Sequence, residues 1–184
     1  MASLITHPVV PLAVAVIAGR RVIPVPLLAL GMVFSILPDL DSLTFRLGIP
    51  YGSAFGHRGF SHSIVIALVL SAMMLPLARA LKAKPSAVFL FLAVSMLSHG
   101  VLDAFTNAGR GVAFFWPFSL ERWFFGFRPI EASPISVRRF LSGRGLAVLR
   151  SELVWVWLPL LSAALFGYLL RRVIRAGKPP PAQQ

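Results

Sequence analysis

Between Ser53 and Ser63 the chain reads SAFGHRGFSHS, which sets His57 and His62 five residues apart at the edge of a strongly apolar run. Neutral imidazole and carboxylate are the ordinary ligands of zinc and similar divalent ions. In SHGVLD, His99 and Asp103 are four apart and share one face of a helix, so they can aim at one ion. In LPDLD, Asp39 and Asp41 follow a proline that ends a helix; they either alternate as extended side chains or bridge two ions. In GHRGFSH, Gly56 and Gly59 let the backbone turn around His57 before the next helix starts near His62. Arg58 between the two histidines suits an anionic oxygen such as that of a phosphate. His7 stands just ahead of the first apolar run. Each piece has a bland reading: a snorkelling interfacial histidine, a chance HxxxD, a helix-stop turn. Ionisable groups beside lipid are costly and tend to be functional, so the joint pattern favours a metal site.

The elements that must position these residues are membrane helices. The chain is 57% hydrophobic and 13% charged, and its mean hydropathy is +0.80. A water-soluble fold of that composition lacks the polar surface to cover itself. Five segments read as helices: about 8–18, 22–37, 62–81, 85–105 and 152–173. The second is expected to stop at Pro38, and the first two are short enough to form a tilted or re-entrant pair. The expected fold is therefore all-α: a polytopic bundle of about five membrane helices, one domain over residues 1–175, with a polar metal site at one membrane face. Residues 107–150 form an aromatic and basic interfacial connection, and 176–184, Pro-rich and polar, read as a disordered tail.

If the five segments cross alternately, His7, Asp39, Asp41, His57, His62, His99 and Asp103 all fall on one side of the bilayer. These are all of the chain's histidines and all of its aspartates. The opposite side receives Arg20, Arg21, Arg79, Lys82, Lys84, Arg171, Arg172, Arg175 and Lys178, close to helix ends. The positive-inside rule then turns the polar cluster outward. The net charge of +12 suits anionic lipid head groups, not nucleic acid, because the basic residues flank apolar runs instead of forming a stripe with stacking aromatics. The chain has no cysteine, which excludes disulfides and thiolate zinc sites, and its first residues carry no basic n-region of a signal peptide.

The 107–150 connection crowds Phe114, Phe115, Trp116, Phe118, Trp123, Phe124, Phe125 and Phe127 together. Such a group is either a belt anchor or an interfacial lid that leaves a lipid tail in the bilayer while its head group reaches the ion. Arg110, Arg122, Arg128, Arg138 and Arg139 are expected to attract anionic head groups, with Glu121 and Glu131 pairing with these arginines.

TH at 6–7, LPDLD at 37–41, HRGFSHS at 57–63, SHGVLD at 98–103 and FFWPFS at 114–119 stand in that order between apolar helices. Together they resemble the membrane-bound metal-dependent hydrolases of bacteria and archaea, whose best-known members are LexA-regulated inner-membrane proteins. The resemblance covers about residues 1–120, and that family looks distantly similar to the zinc phospholipase C and P1 nuclease group. It implies a multi-pass protein of the inner membrane that hydrolyses a phosphoester of a lipid or lipid-linked substrate. It departs from the soluble enzymes in having no glutamate in an obvious ligand motif. One or two divalent ions, zinc first and manganese second, are expected on His7, Asp41, His62, His99 and Asp103. Asp39 serves as ligand or general base, His57 as ligand or proton donor, and Arg58 on the phosphate charge. A cation transporter and a protein with a structural metal are the competing readings. The gathering of the ligands at one face, away from the midplane, argues against transport.

Overall fold

Prolines set the helix boundaries in this chain, and two of them do so in ways the apolar pattern does not reveal. A computed structural model describes residues 1–141 and 143–176; beyond Ala176, the expected tail lies outside the described residues. Helix α1 is Val9–Ala18 and α2 is Val25–Ile36, which begins after Pro24 with Pro26 in its first turn. The rod does not end at Pro38. It tightens into a 3-10 helix, Leu37–Leu47, with Pro38 in that helix's own first turn, where no donor is needed. Val25–Leu47 is thus a 23-residue rod, long enough to cross a bilayer, whose most apolar 18-residue stretch has a mean hydropathy of 1.5.

Helix α3 is shorter than its apolar run. It covers Ile64–Met73, starting at Ser63, whose hydroxyl accepts from Ile66 N at 3.2 Å. It ends there because Pro76 cannot donate to Ala72, and the chain passes into a 3-10 turn, Leu75–Leu77. A separate 3-10 turn, Phe60–His62, precedes Ser63, so His62 lies ahead of the helix. Helix α4, Pro85–Ala104, matches its expected span.

The last rod starts nine residues earlier than its apolar run indicates. Short α5, Val137–Phe140, precedes α6, Gly143–Glu152, and α6 continues through a π turn, Leu153–Trp157, into α7, Leu158–Ala176. Pro159 lacks the N–H that would bond Trp155 in a regular helix. The turn widens instead, and Leu158 N donates to Leu153 O. The most apolar 18-residue stretch of the resulting rod, Gly143–Ala176, has a mean hydropathy of 2.0, and only 11% of that stretch is buried. An apolar surface left open on that scale is a lipid-facing surface.

The observed architecture is therefore an all-α membrane bundle with, among the described residues, three long apolar rods and two shorter ones, α1 and α3. At 10 residues each, the short helices reach about 15 Å, roughly half a bilayer core. Helix α4 is the central member, packed by α1, α2 and α3, while α1 also lies along α7. Leu27, Phe34, Val88, Phe91, Leu92 and Met96 make the core between α2 and α4. Close approach there depends on Gly31, where a Cβ would sit 2.3 Å from the buried ring of Phe91. Gly31→Val is expected to destabilise the bundle by about 1–3 kcal/mol through overpacking, read as a lowered unfolding midpoint in detergent.

Candidate metal centre

A 3-10 helix turns ~120° per residue, so Asp39 and Asp41, two positions apart, leave the Leu37–Leu47 segment in different directions. That settles how the two carboxylates divide. Asp39 turns toward α4 and the N-terminal segment, with Oδ1 3.3 Å from His99 Nε2 and Oδ2 4.0 Å from His7 Nε2. Asp41 turns toward the 57–62 loop. Its Oδ1 lies 2.5 Å from His57 Nδ1, and its Oδ2 accepts from Arg58 N at 2.9 Å and Ser61 Oγ at 2.6 Å.

The loop reaches this position through two glycines. A Cβ on Gly56 or Gly59 would lie 2.2 Å from the carbonyl oxygen of Pro50 or Ala54, so close backbone approach requires glycine there. His62 sits with Nδ1 3.0 Å from Ser61 Oγ and 3.1 Å from Asp41 Oδ2, and with Nε2 3.7 Å from Asp103 Oδ2. His99 and Asp103 share the buried face of α4, as their spacing predicts. His99 Nδ1 lies 2.8 Å from the Ser35 carbonyl, so it carries the proton and leaves Nε2 bare toward Asp39. The His7 ring stacks on His99 at 3.7 Å, with Nε2 4.0 Å from Asp103 Oδ1. Burial, then the neighbouring His99, pushes His7 down to about 3, which keeps it a neutral imidazole.

All seven histidines and aspartates are buried, in one connected cluster. Within it, both nitrogens of His7, both oxygens of Asp39, His62 Nε2, His99 Nε2 and Asp103 Oδ2 have no hydrogen-bond partner, although Asp103 Oδ2 faces the Arg58 guanidinium. Ligand atoms from Asp39, His62, His99 and Asp103 lie within 4.8 Å of one another, and Asp39, Asp41 and His57 form a second such group. Buried polar atoms are normally paired, and leaving one unpaired costs about 1–3 kcal/mol. Bare lone pairs of imidazole and carboxylate that converge in this way fit a divalent cation.

Around these atoms lies a layer of partners. Asp103 Oδ1 accepts from Ala2 N at 2.7 Å. Arg58, wholly buried at a left-handed φ of 62°, holds Nε 2.8 Å from Asp103 Oδ2, Nη2 on Thr106 Oγ1 at 3.0 Å and Nη1 on Ala108 O at 3.2 Å. Asp41 fixes both loop histidines. Asp41→Asn is therefore expected to lower metal affinity about 10–100-fold, measured by titration with a chelator-buffered ion.

Glu152, to which residue spacing assigns no role, is fully buried. Its carboxylate accepts from Ser3 N at 2.5 Å, Ser3 Oγ at 2.6 Å and Thr6 Oγ1 at 2.8 Å, and Trp157 Nε1 also donates to Thr6 Oγ1 at 2.8 Å. Glu152 thus pins the segment that carries His7 onto the α6–α7 rod. Its signal in the sequence is a carboxylate opening a long apolar run, which is costly unless partnered. Glu152→Ala strands these donors, at about 1–3 kcal/mol per buried group. The expected result is a lowered unfolding midpoint together with weaker metal binding, while Glu152→Gln should fall in between.

The 107–150 connection folds back on the loop. Ala113 N donates to Arg58 O and Ile64 N to Phe114 O, both at 3.0 Å. Arg122 is taken up by the carbonyls of His57, Tyr51 and Ser53, and Arg128 lies over Phe124. Glu131 pairs at 2.7 Å with Arg144, an arginine outside the set expected for it. Phe115, Phe118, Trp123, Phe125 and Phe127 stay exposed.

Comparison with known proteins places the chain. Residues 1–176 match the family described as YdjM inner membrane protein. The inner membrane protein YbcI of Escherichia coli (strain K12) is 43% identical over 160 residues, covering 86% of this chain and 92% of that protein. No solved structure matches. With its three membrane-length rods, the chain belongs to the YdjM family and is a multi-pass protein of the inner membrane.

Proposed function

We propose that this protein is a membrane-embedded, metal-dependent hydrolase of a phosphoester in a lipid or lipid-linked substrate, with its site at the outer face of the membrane. The observation that carries the reading is the set of seven buried nitrogen and oxygen atoms without a hydrogen-bond partner on His7, Asp39, His62, His99 and Asp103, of which only Asp103 Oδ2 faces the Arg58 guanidinium. These five side chains are the proposed ligands, zinc being the first expectation and manganese the second. A bound divalent ion supplies Lewis-acid activation of water and of a phosphoryl oxygen.

The other residues act around the ligands. Asp41 accepts from one imidazole and abuts the other, which leaves it a positioning carboxylate in this scheme. His57, oriented by Asp41, is the proton donor to the leaving group, since a carboxylate-held imidazole is suited to acid–base transfer. Arg58 spends its guanidinium on Asp103, Thr106 and Ala108, so its part is to hold Asp103 and not to bind phosphate. The aromatic connection, knit to the loop beside the site, supports the lid reading. A structural metal is the second reading, favoured by the complete burial of His7, His99 and Asp103.

Elemental analysis of the purified protein beside His62→Ala and Asp103→Ala tests the metal. One or two equivalents in wild type, lost in both folded variants, support the site. Hydrolysis assays on phospholipid and lipid pyrophosphate then separate the enzyme from the structural reading. A folded wild type that takes up neither zinc nor manganese sinks both.

A further inference from the structure

A cavity of about 580 Å³ opens beside the metal centre, between the N-terminal segment, the α2 rod and residues 133–140. Its walls include Leu4, Ile5, Val33, Ile36, Leu40 and Ile135, and Asp39 is the one proposed metal ligand that lines it. No lysine or arginine lines it. Leu4, Ile5, Val33, Leu40 and Ile135 are about half exposed, as surface facing hydrocarbon would be. Asp39 is only 6% exposed, and neither of its oxygens has a hydrogen-bond partner.

We infer that this cavity is the tail-binding subsite of the proposed hydrolase: it takes one acyl chain of a membrane phospholipid and delivers the phosphoester to the ion at Asp39. The inference rests on the hydrolase reading for the fate of the lipid, but the binding stands on the cavity itself. Largely apolar walls without a lysine or arginine side chain disfavour a head group, whose phosphate would lose its hydration there. An acyl chain meets no such penalty, and its volume class suits a pocket of this size. The wall and the centre are joined through one stretch of chain, since Leu37–Leu47 supplies Leu40 to the first and Asp39 to the second. A lipid entering sideways from the bilayer would therefore keep its tail in apolar surroundings until its phosphate reaches the ion.

The test uses the full-length, metal-loaded protein in nanodiscs containing phosphatidylglycerol with a photoactivatable diazirine on one acyl chain. Cross-linked peptides are mapped for wild type and for Val33→Trp and Ile135→Trp, which fill the cavity from two walls and lie outside the metal ligands. The expected result is cross-linking concentrated at Leu4, Ile5 and Leu40, falling at least tenfold in both variants with metal content unchanged. Cross-links spread evenly over the lipid-facing residues of α7, and unaffected by either tryptophan, overturn the subsite. Cavity cross-links without hydrolysis of any phospholipid would support the tail site while removing the hydrolase. Hydrolysis of soluble short-chain phosphodiesters without cavity cross-links would retain the hydrolase and overturn the tail site.

Discussion

Chelation of a bound divalent ion is expected to lower the unfolding midpoint of the wild-type protein, and Asp39→Asn is expected to abolish that response. An ion bound only by the folded state stabilises by about 4 kcal/mol when its free concentration is roughly a thousandfold above Kd. Asp39 is the residue to change because both of its oxygens are buried and without a hydrogen-bond partner, within reach of His99 and Asp103. The ion-free wild type therefore carries a buried carboxylate that nothing in the chain satisfies, at about 1–3 kcal/mol. An asparagine there carries no charge and can donate its amide to bare His99 Nε2 or to Asp103. The ordering of stabilities should consequently cross. With ion present, wild type is the more stable; with chelator, Asp39→Asn equals or exceeds it. Calorimetry or a tryptophan-fluorescence melt of both proteins, with and without chelator, reads all four states. A wild type indifferent to chelation, or an Asp39→Asn protein less stable than chelated wild type, would refute the assignment.

Arg58→Ala is expected to destabilise by about 3–5 kcal/mol, the scale for removing one member of a buried ion pair. The charge left behind is Asp103, buried in α4 with the Arg58 guanidinium 2.8 Å away. The guanidinium also supplies Thr106 and the Ala108 carbonyl, so its loss frees the 106–108 turn as well. Position 58 offers an internal control. Its φ of 62° is left-handed, a conformation that costs a side-chain-bearing residue about 1–2 kcal/mol. Arg58→Gly should therefore lose the ion pair but relieve the backbone, ending ~1 kcal/mol above Arg58→Ala. Arg58→Lys should fail almost as badly as alanine, because one ammonium cannot reach three partners held in a fork. Denaturant titrations of the three variants check the order. Equal stabilities for glycine and alanine would remove the strain argument, and a fully stable Arg58→Lys would remove the fork.

Much of the centre was legible in the residues themselves. His99 and Asp103 share a helix face at any i, i+4 spacing, so α4 needed no tertiary information to pair them. That every histidine and aspartate gathers in one buried cluster was foreshadowed by their places at the ends of apolar runs. The bundle class, and the central helix almost to the residue, came from apolar run length, because a bilayer admits few other ways to satisfy the backbone. Three things were decided only by the fold. The division of labour between Asp39 and Asp41 depends on the helical pitch after Pro38, since an extended pair, two residues apart, would have faced the same way. The engagement of Arg58 with Asp103 spans 45 residues of sequence and is set by where the 57–62 loop lands on α4. Glu152, 149 residues from Ser3, acquires its partners only when the last rod closes against the first residues. Residue type and local spacing fix which chemistry a chain can hold. Which atoms are left bare for an ion is set by long-range contacts, because every other donor and acceptor must first find its partner.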